Sequence, residues 1–353
     1  MTKQRRALAL ISGGLDSMLA VRMIQEQGCE VAGVNYYTTF AGDHDYQFKV
    51  EGGSDRSARK AAEELGIALQ VIDLTMPFQR VLRAPRYGFG SVINPCLDCK
   101  LFFIEEAYRL MQKGGYDFLI TGEVVGQRPM SQRIDTLPLA IPITNNRIVR
   151  PLSARLLPES YPEQMGWLDR AQLGAIRGRN RSEQMALARK FGLQWVPQPA
   201  GGCLLTDPGF GRRLRDFLRR FPTETYSPEQ LQLLRVGRHL NVSPTLKLIV
   251  GHNQWENQWL QQHPGVYFWA QAEGYPGATV VIQVGTNCAT AQPALSDDTW
   301  QLIAKVALYF SKVRKEGVVG ANGRVEFYRR AQLMKLVEVA GMLDTQLLNN
   351  WYL

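Results

Sequence analysis

Ser12-Gly13-Gly14-Leu15-Asp16-Ser17 constrains this chain more than any other segment. It follows the apolar run Ala7-Leu8-Ala9-Leu10-Ile11, which reads as a buried parallel strand, and leads into Met18 to Ile24, whose apolar spacing is helical. A tight glycine turn between a strand and a helix leaves backbone N–H groups aimed at one spot, where the helix dipole also favours an anion. Gly13 and Gly14 let the backbone close on that anion, and Ser12 and Ser17 add hydroxyl donors. Asp16 would repel a phosphate, so its expected task is to hold Mg²⁺ against one.

At 353 residues the chain is long enough for two domains. With 45% hydrophobic and 21% charged residues it reads as globular. No apolar run reaches membrane-spanning length, and the opening Met1 to Arg6 leaves no room for a signal peptide before the first strand. The expectation is a cytoplasmic protein without a membrane partner. Five cysteines without secretory features point to cysteine chemistry rather than disulfides. The net charge of +9 points to a polyanionic partner, with arginines dense between Arg177 and Arg238.

Residues 7–125 alternate apolar strands with helical patterns: Glu30 to Tyr37 as a strand, Arg56 to Leu65 as a helix, Leu69 to Leu74 as a strand, Leu101 to Met111 as a helix and Asp117 to Thr121 as a strand. This βαβ rhythm predicts an α/β domain, a parallel sheet with helices on both faces, and ligands outside the carboxyl ends of the strands. The loops at 12–17, 36–55, 75–100 and 122–135 then gather at one edge. From about 151 to 238 the pattern reads as helical and basic. Beyond 239, short strands at 246–250, 267–270 and 279–284, then a helix over 300–314, read as a small α+β domain. The expected division is 1–208, a basic helical linker over 209–238, and 239–353.

Cys96-Leu97-Asp98-Cys99 sits in one of the post-strand loops, and Cys203 follows Pro199-Ala200-Gly201-Gly202. Cys29 and Cys288 sit in no comparable loop and read as structural. Closed zinc would need a fourth ligand near these thiols, and the nearest histidine in sequence, His44, reads as surface.

The SGGxDS segment resembles the PP-loop of ATP pyrophosphatases, which split ATP between the α- and β-phosphates to adenylate a substrate oxygen. It is not a Walker loop, since no G-K-[ST] follows. With Cys96, Cys99 and Cys203 the layout is similar to tRNA-thiolating PP-loop enzymes: 2-thiouridylases, 4-thiouridine synthetases and their iron–sulfur-dependent relatives. That resemblance implies ATP bound at Ser12, Gly13, Gly14, Leu15, Asp16 and Ser17, with Asp16, Cys99 and Cys203 in the chemistry. It also implies a 4Fe-4S cluster on Cys96, Cys99 and Cys203, because a first loop cysteine accompanies a cluster in such enzymes. A two-thiol persulfide relay through Cys99 and Cys203, or zinc, remains open. Lys100 is either a charge-stabilising group or a solvated lysine.

The loop from Gly122-Glu123 to Gln132 is expected to frame ATP or the target base, and Ile148 to Leu152 resembles the lead into the adaptor helices of these enzymes. Leu248-Ile249-Val250-Gly251-His252-Asn253, Glu256-Asn257, Phe268-Trp269-Ala270, Pro276 to Ile282, Tyr309 to Lys312 and Gly320 resemble the NFACT RNA-binding domain. His252 stands where that family usually has arginine. Interleaved aromatic and basic residues suit irregular RNA. Together these imply an ATP-dependent tRNA sulfurtransferase making a thiouridine, with ATP, Mg²⁺, tRNA and an external sulfur donor. A PP-loop enzyme acting on a small molecule and a non-catalytic RNA-binding protein are the other readings.

Overall fold

Alternate residues of the first strand are buried on opposite faces, Ala7 and Ala9 in one core and Leu8 in another, as a central parallel strand requires. The computed structural model describes residues 4–40, 56–197, 202–221, 225–284, 295–312, 323–341 and 343–353. His44, Pro199, Ala200, Gly201, Cys288 and Gly320 lie outside the described residues, as do Met1, Thr2 and Lys3. Two compact units divide the chain, Met1–Asp207 and Pro208–Leu353.

In the first unit, β1 (Arg6–Leu10), β2 (Glu30–Tyr37), β3 (Leu69–Asp73), β4 (Phe118–Thr121) and β5 (Ile148–Val149) form a parallel sheet in the order β3-β2-β1-β4-β5. The order reverses between β1 and β4, the position at which an open α/β sheet leaves a crevice beyond its strand ends. Helices α1 (Leu15–Gln25) and α2 (Arg56–Leu65) bury Met18, Leu19, Ala58 and Leu65 in the core with Ala7, Ala9, Phe118 and Ile120. Helix α3 (Thr75–Arg83) follows β3, and α4 (Cys96–Lys113) buries Ile104, Ala107 and Met111 against Leu8, Val34 and Leu119. Both sheet faces are therefore covered. The segment 151–207, expected to be helical, has one longer helix, α5 (Ser182–Lys190), among the described residues, and otherwise short turns of helix. Leu152, Ala154, Leu168, Leu173 and Ile176 bury this segment in the core beside α1. Its apolar residues are placed by that packing rather than by a helical repeat.

In the second unit, β6 (Arg238–Asn241), β7 (Leu246–Val250), β8 (Phe268–Ala272), β9 (Val280–Val284), β10 (Gly323–Arg329) and β11 (Gln332–Val339) make an antiparallel sheet in the order β11-β10-β8-β9-β7-β6. Of residues 209–238, expected as a linker, the described ones, 209–221 and 225–238, belong to this unit. Helix α6 (Pro208–Arg220) buries Phe210, Leu214 and Phe217, and its Asp216 accepts from Lys247 Nζ at 2.8 Å, from Asn241 Nδ2 at 2.6 Å and from Arg220 Nε at 3.2 Å. Helices α7 (Gln254–Gln262) and α8 (Asp297–Tyr309) accompany this sheet, with Trp300 of α8 edge-on to Phe327 at 4.8 Å, and two shorter helices span Pro228–Leu233 and Thr345–Asn349. Among the described residues no helix is long and apolar enough to cross a membrane.

Burial alone would raise the Asp216 carboxyl, but Lys247, Asn241 and Arg220 outweigh it and hold it below the ordinary carboxylate range. Asp216→Asn leaves the buried Lys247 ammonium without its anion, and the second unit should lose about 3 kcal/mol by denaturant unfolding. A depressed carboxyl stabilises above its unfolded pKa and loses that contribution as pH falls through the folded value. The gap between wild type and variant should accordingly narrow below about pH 4. Equal unfolding midpoints at neutral pH would contradict this role.

Candidate active site

The β1–α1 loop is shaped by contacts that exclude larger residues. Gly13 has φ +78°, and a Cβ there would lie 2.6 Å from the Ser57 backbone. No side chain caps α1 at Gly14, so helix geometry leaves the first-turn N–H groups of Leu15 and Asp16 without intrahelical acceptors. Ser17 Oγ donates to the Gly14 carbonyl at 2.7 Å, and Ser12 Oγ accepts from Gly14 N at 3.3 Å. These bonds fix the loop around the helix N-terminus.

Across the sheet's reversal point, Gly122 closes onto the same turn: a Cβ on it would meet the Asp16 backbone at 2.5 Å. The loop after β4 then reaches Asp16 directly, with Gln127 Nε2 donating to Asp16 Oδ2 at 2.8 Å. Asp16 Oδ1 is buried and has no hydrogen-bond partner among the described residues. A buried carboxylate oxygen left in that state is costly. Its charge and hardness fit a divalent cation.

Glu123, next along, is fully buried between two cations. Arg150 Nε donates to Oε2 at 2.9 Å, and Lys100 Nζ lies 3.8 Å from Oε1. Thr121 Oγ1 also donates to Oε2, at 3.0 Å. Burial pushes this carboxyl up, and Lys100 and Arg150 more than reverse it, holding it below the usual carboxylate range. Lys100, which the sequence left open, is thus the tie between the cysteine-bearing start of α4 and the end of β4.

The three cysteines come together by identifiable means. Phe40, buried beside Phe78 with ring centroids 5.9 Å apart, offers its carbonyl to Cys203 Sγ at 3.2 Å and to Leu204 N at 3.2 Å. Ile93 N donates to the Leu205 carbonyl at 3.3 Å, joining that segment to the loop ahead of α4. The Asp98 carboxylate accepts from Arg86 N at 2.7 Å and Tyr87 N at 3.0 Å, which holds this loop from its other end. Cys96 Sγ accepts from Asn94 Nδ2 at 3.1 Å. Burial raises the Cys99 thiol, and the neighbouring Cys203 and Cys96 raise it further. Among the described residues, however, no group of three or more His, Cys, Asp and Glu side chains is arranged to hold a metal ion. Cys203 Sγ is turned to the Phe40 carbonyl, and Cys96 Sγ accepts from the Asn94 amide. Cys29 is buried in the sheet core, as expected.

Residues 2–155 match the family model described as thiamine biosynthesis protein (ThiI), and residues 237–352 match that of the NFACT protein RNA binding domain. The chain joins a ThiI-like region to an NFACT-like RNA-binding region. A tRNA-specific 2-thiouridylase MnmA of Methylobacterium nodulans is 27% identical over 243 residues, 66% of this chain and 60% of the relative. That of Syntrophotalea carbinolica is 35% identical over 127 residues, 34% of this chain and 35% of the relative. The chain thus spans between about a third and 60% of the length of these curated relatives. Among solved structures, a 4-thiouridine synthetase–RNA complex with bound ATP aligns at TM-score 0.35 and 17% identity, over 65% of this chain and 52% of that one.

The loop from Gly122 to Gln132, expected at the site, supplies Glu123 and Gln127, whereas the Glu123–Arg150 pairing and the Asn94–Cys96 contact were not marked in the sequence. Only the strand-end position of Glu123 and the apolar flanks of Arg150 hinted at burial. Glu123→Gln should strip Arg150 of its buried counter-charge and lower first-unit stability by about 3 kcal/mol in chemical denaturation. A shift below ~0.5 kcal/mol would show the pair to be solvated in practice.

Proposed function

We propose that this chain is an ATP-dependent tRNA sulfurtransferase that replaces a uridine carbonyl oxygen with sulfur. One observation carries the reading: the loop bearing the orphaned Asp16 oxygen and the loops bearing Cys96, Cys99 and Cys203 share one end of the first sheet, tied through Lys100, Glu123 and Gly122. That proximity supports pairing nucleotide activation with sulfur handling at this edge.

Ser12, Gly13, Gly14 and the first-turn N–H groups of α1 would receive the ATP phosphates. Asp16 Oδ1 would hold Mg²⁺, which neutralises the departing pyrophosphate. The uridine carbonyl oxygen attacks the α-phosphorus, and pyrophosphate leaves. A sulfur nucleophile then adds to the activated carbon, and its C–O bond breaks to release AMP. Hydrosulfide as donor makes this exchange redox-neutral. A persulfide on Cys99 or Cys203 would add through its outer sulfur; attack of the other cysteine on the inner sulfur then breaks the S–S bond, frees the thiouridine and leaves a Cys99–Cys203 disulfide, which two external thiols reduce.

Asp16→Ala should abolish pyrophosphate release from ATP and tRNA while changing unfolding free energy by no more than about 1 kcal/mol, since it removes the bond from Gln127 together with a buried unpaired oxygen. Unchanged release would remove Asp16 from the reaction. Cys99→Ala and Cys203→Ala should each stop sulfur transfer and keep pyrophosphate release. Cys96→Ala should retain transfer from a persulfide donor. Loss of both transfer and bound iron in Cys96→Ala would instead establish a cluster on the three thiolates.

A further inference from the structure

The second unit carries a cavity of about 840 Å³ along one end of its sheet. It runs from Arg238 on β6 to Glu326 on β10, four strand steps away in the order β10-β8-β9-β7-β6. At the usual strand spacing that is about 19 Å. The cavity is therefore an elongated groove, longer than one small ligand needs.

Its walls are built by a few exacting contacts. Asn257 of α7 bridges two turns, donating to the Gly277 carbonyl at 3.0 Å and accepting from Thr279 N at 3.0 Å. A Cβ on Gly251 would lie 2.1 Å from Asn257 Oδ1, and one on Gly277 would lie 2.9 Å from Ser311 Cβ. The glycines are small because the groove's floor requires it. At one end, Arg238 donates to the Gly251 carbonyl at 3.2 Å and stands 5.3 Å from the Phe310 ring centroid, close to the N-terminus of α7. At the other, Glu326 Oε2 accepts from Gln271 and from the Tyr328 hydroxyl, both at 3.0 Å. Tyr275, 43% exposed, lines the opening.

We propose that this groove takes a short single-stranded stretch of RNA, stacking a base on the exposed Tyr275 ring, with a phosphate at Arg238. The chemistry favours that occupant. Amides and one carboxylate match base edges, an open aromatic ring matches a base face, and a cation matches a phosphate. A peptide strand or helix would need apolar side-chain pockets, which this polar lining does not provide. The inference deepens the reading that the second unit binds RNA, and adds where and in what form.

The test uses the full chain and a fluorescein-labelled 12-nucleotide single strand, its duplex, and unmodified tRNA. Tyr275→Ala removes a stacking ring, and Gln254→Glu puts a negative charge at the exposed α7 start; neither side chain is part of the packed core. Each should weaken single-strand binding about tenfold, with unchanged circular dichroism. The duplex should bind more weakly than the single strand. Single-strand affinity unaltered in both variants overturns the groove, as does equal affinity for strand and duplex. Failure of thiolation with groove-dependent binding intact would defeat the catalytic reading alone.

Discussion

The first unit's site depends on one close approach, that of Gly122 to the backbone of Asp16 and Ser17. No side chain fits between the end of β4 and the start of α1, where a Cβ would sit 2.5 Å from the Asp16 carbonyl carbon. That contact lies at the reversal of strand order, between β1 and β4. It brings Gln127 within hydrogen-bonding distance of Asp16 and sets Glu123 where Lys100 and Arg150 can neutralise it. Lys100 in turn follows the first turn of the cysteine-bearing helix. Phosphate-facing turn, buried ion pair and thiol loops are thus one connected construction, and disturbing its centre should disturb all three.

A comparable economy governs the charge. The +9 excess invites a picture of a uniformly basic surface, yet several of the arginines are structural. Arg150 lies in the core beside Glu123, and Arg220 holds Asp216 and the carbonyls of Ser243 and Pro244. Arg212, Arg215 and Arg219, in contrast, occupy the exposed side of α6, opposite buried Phe210, Leu214 and Phe217. Their spacing sets three positive charges on one helix face, suited to a phosphate backbone.

Where side-chain periodicity and burial coincide, the fold was legible in the sequence. The bounds of β2, α2 and β7 match the expected segments, and the parallel sheet with two covered faces follows from the βαβ alternation. The β10–β11 hairpin escaped because its turn uses Arg330 at φ +53° rather than the glycine or asparagine that marks such turns. Helix α7 escaped because only Leu260 along it is buried, leaving no apolar stripe. Phe268 and Trp269, read as part of an aromatic RNA surface, are buried, whereas Tyr275 in a neighbouring loop is open. At the catalytic edge the loop residues were legible as types. Their partners were not: Gln127 reaches Asp16 across 111 residues, a contact that no local pattern encodes.

The most direct test is to incubate the full chain with ATP, Mg²⁺, a sulfur donor and unmodified tRNA, and to measure nucleosides and AMP by mass spectrometry. The account predicts thiouridine formed in step with AMP and pyrophosphate, each dependent on Asp16. AMP and pyrophosphate released with no sulfur in any tRNA nucleoside would contradict it.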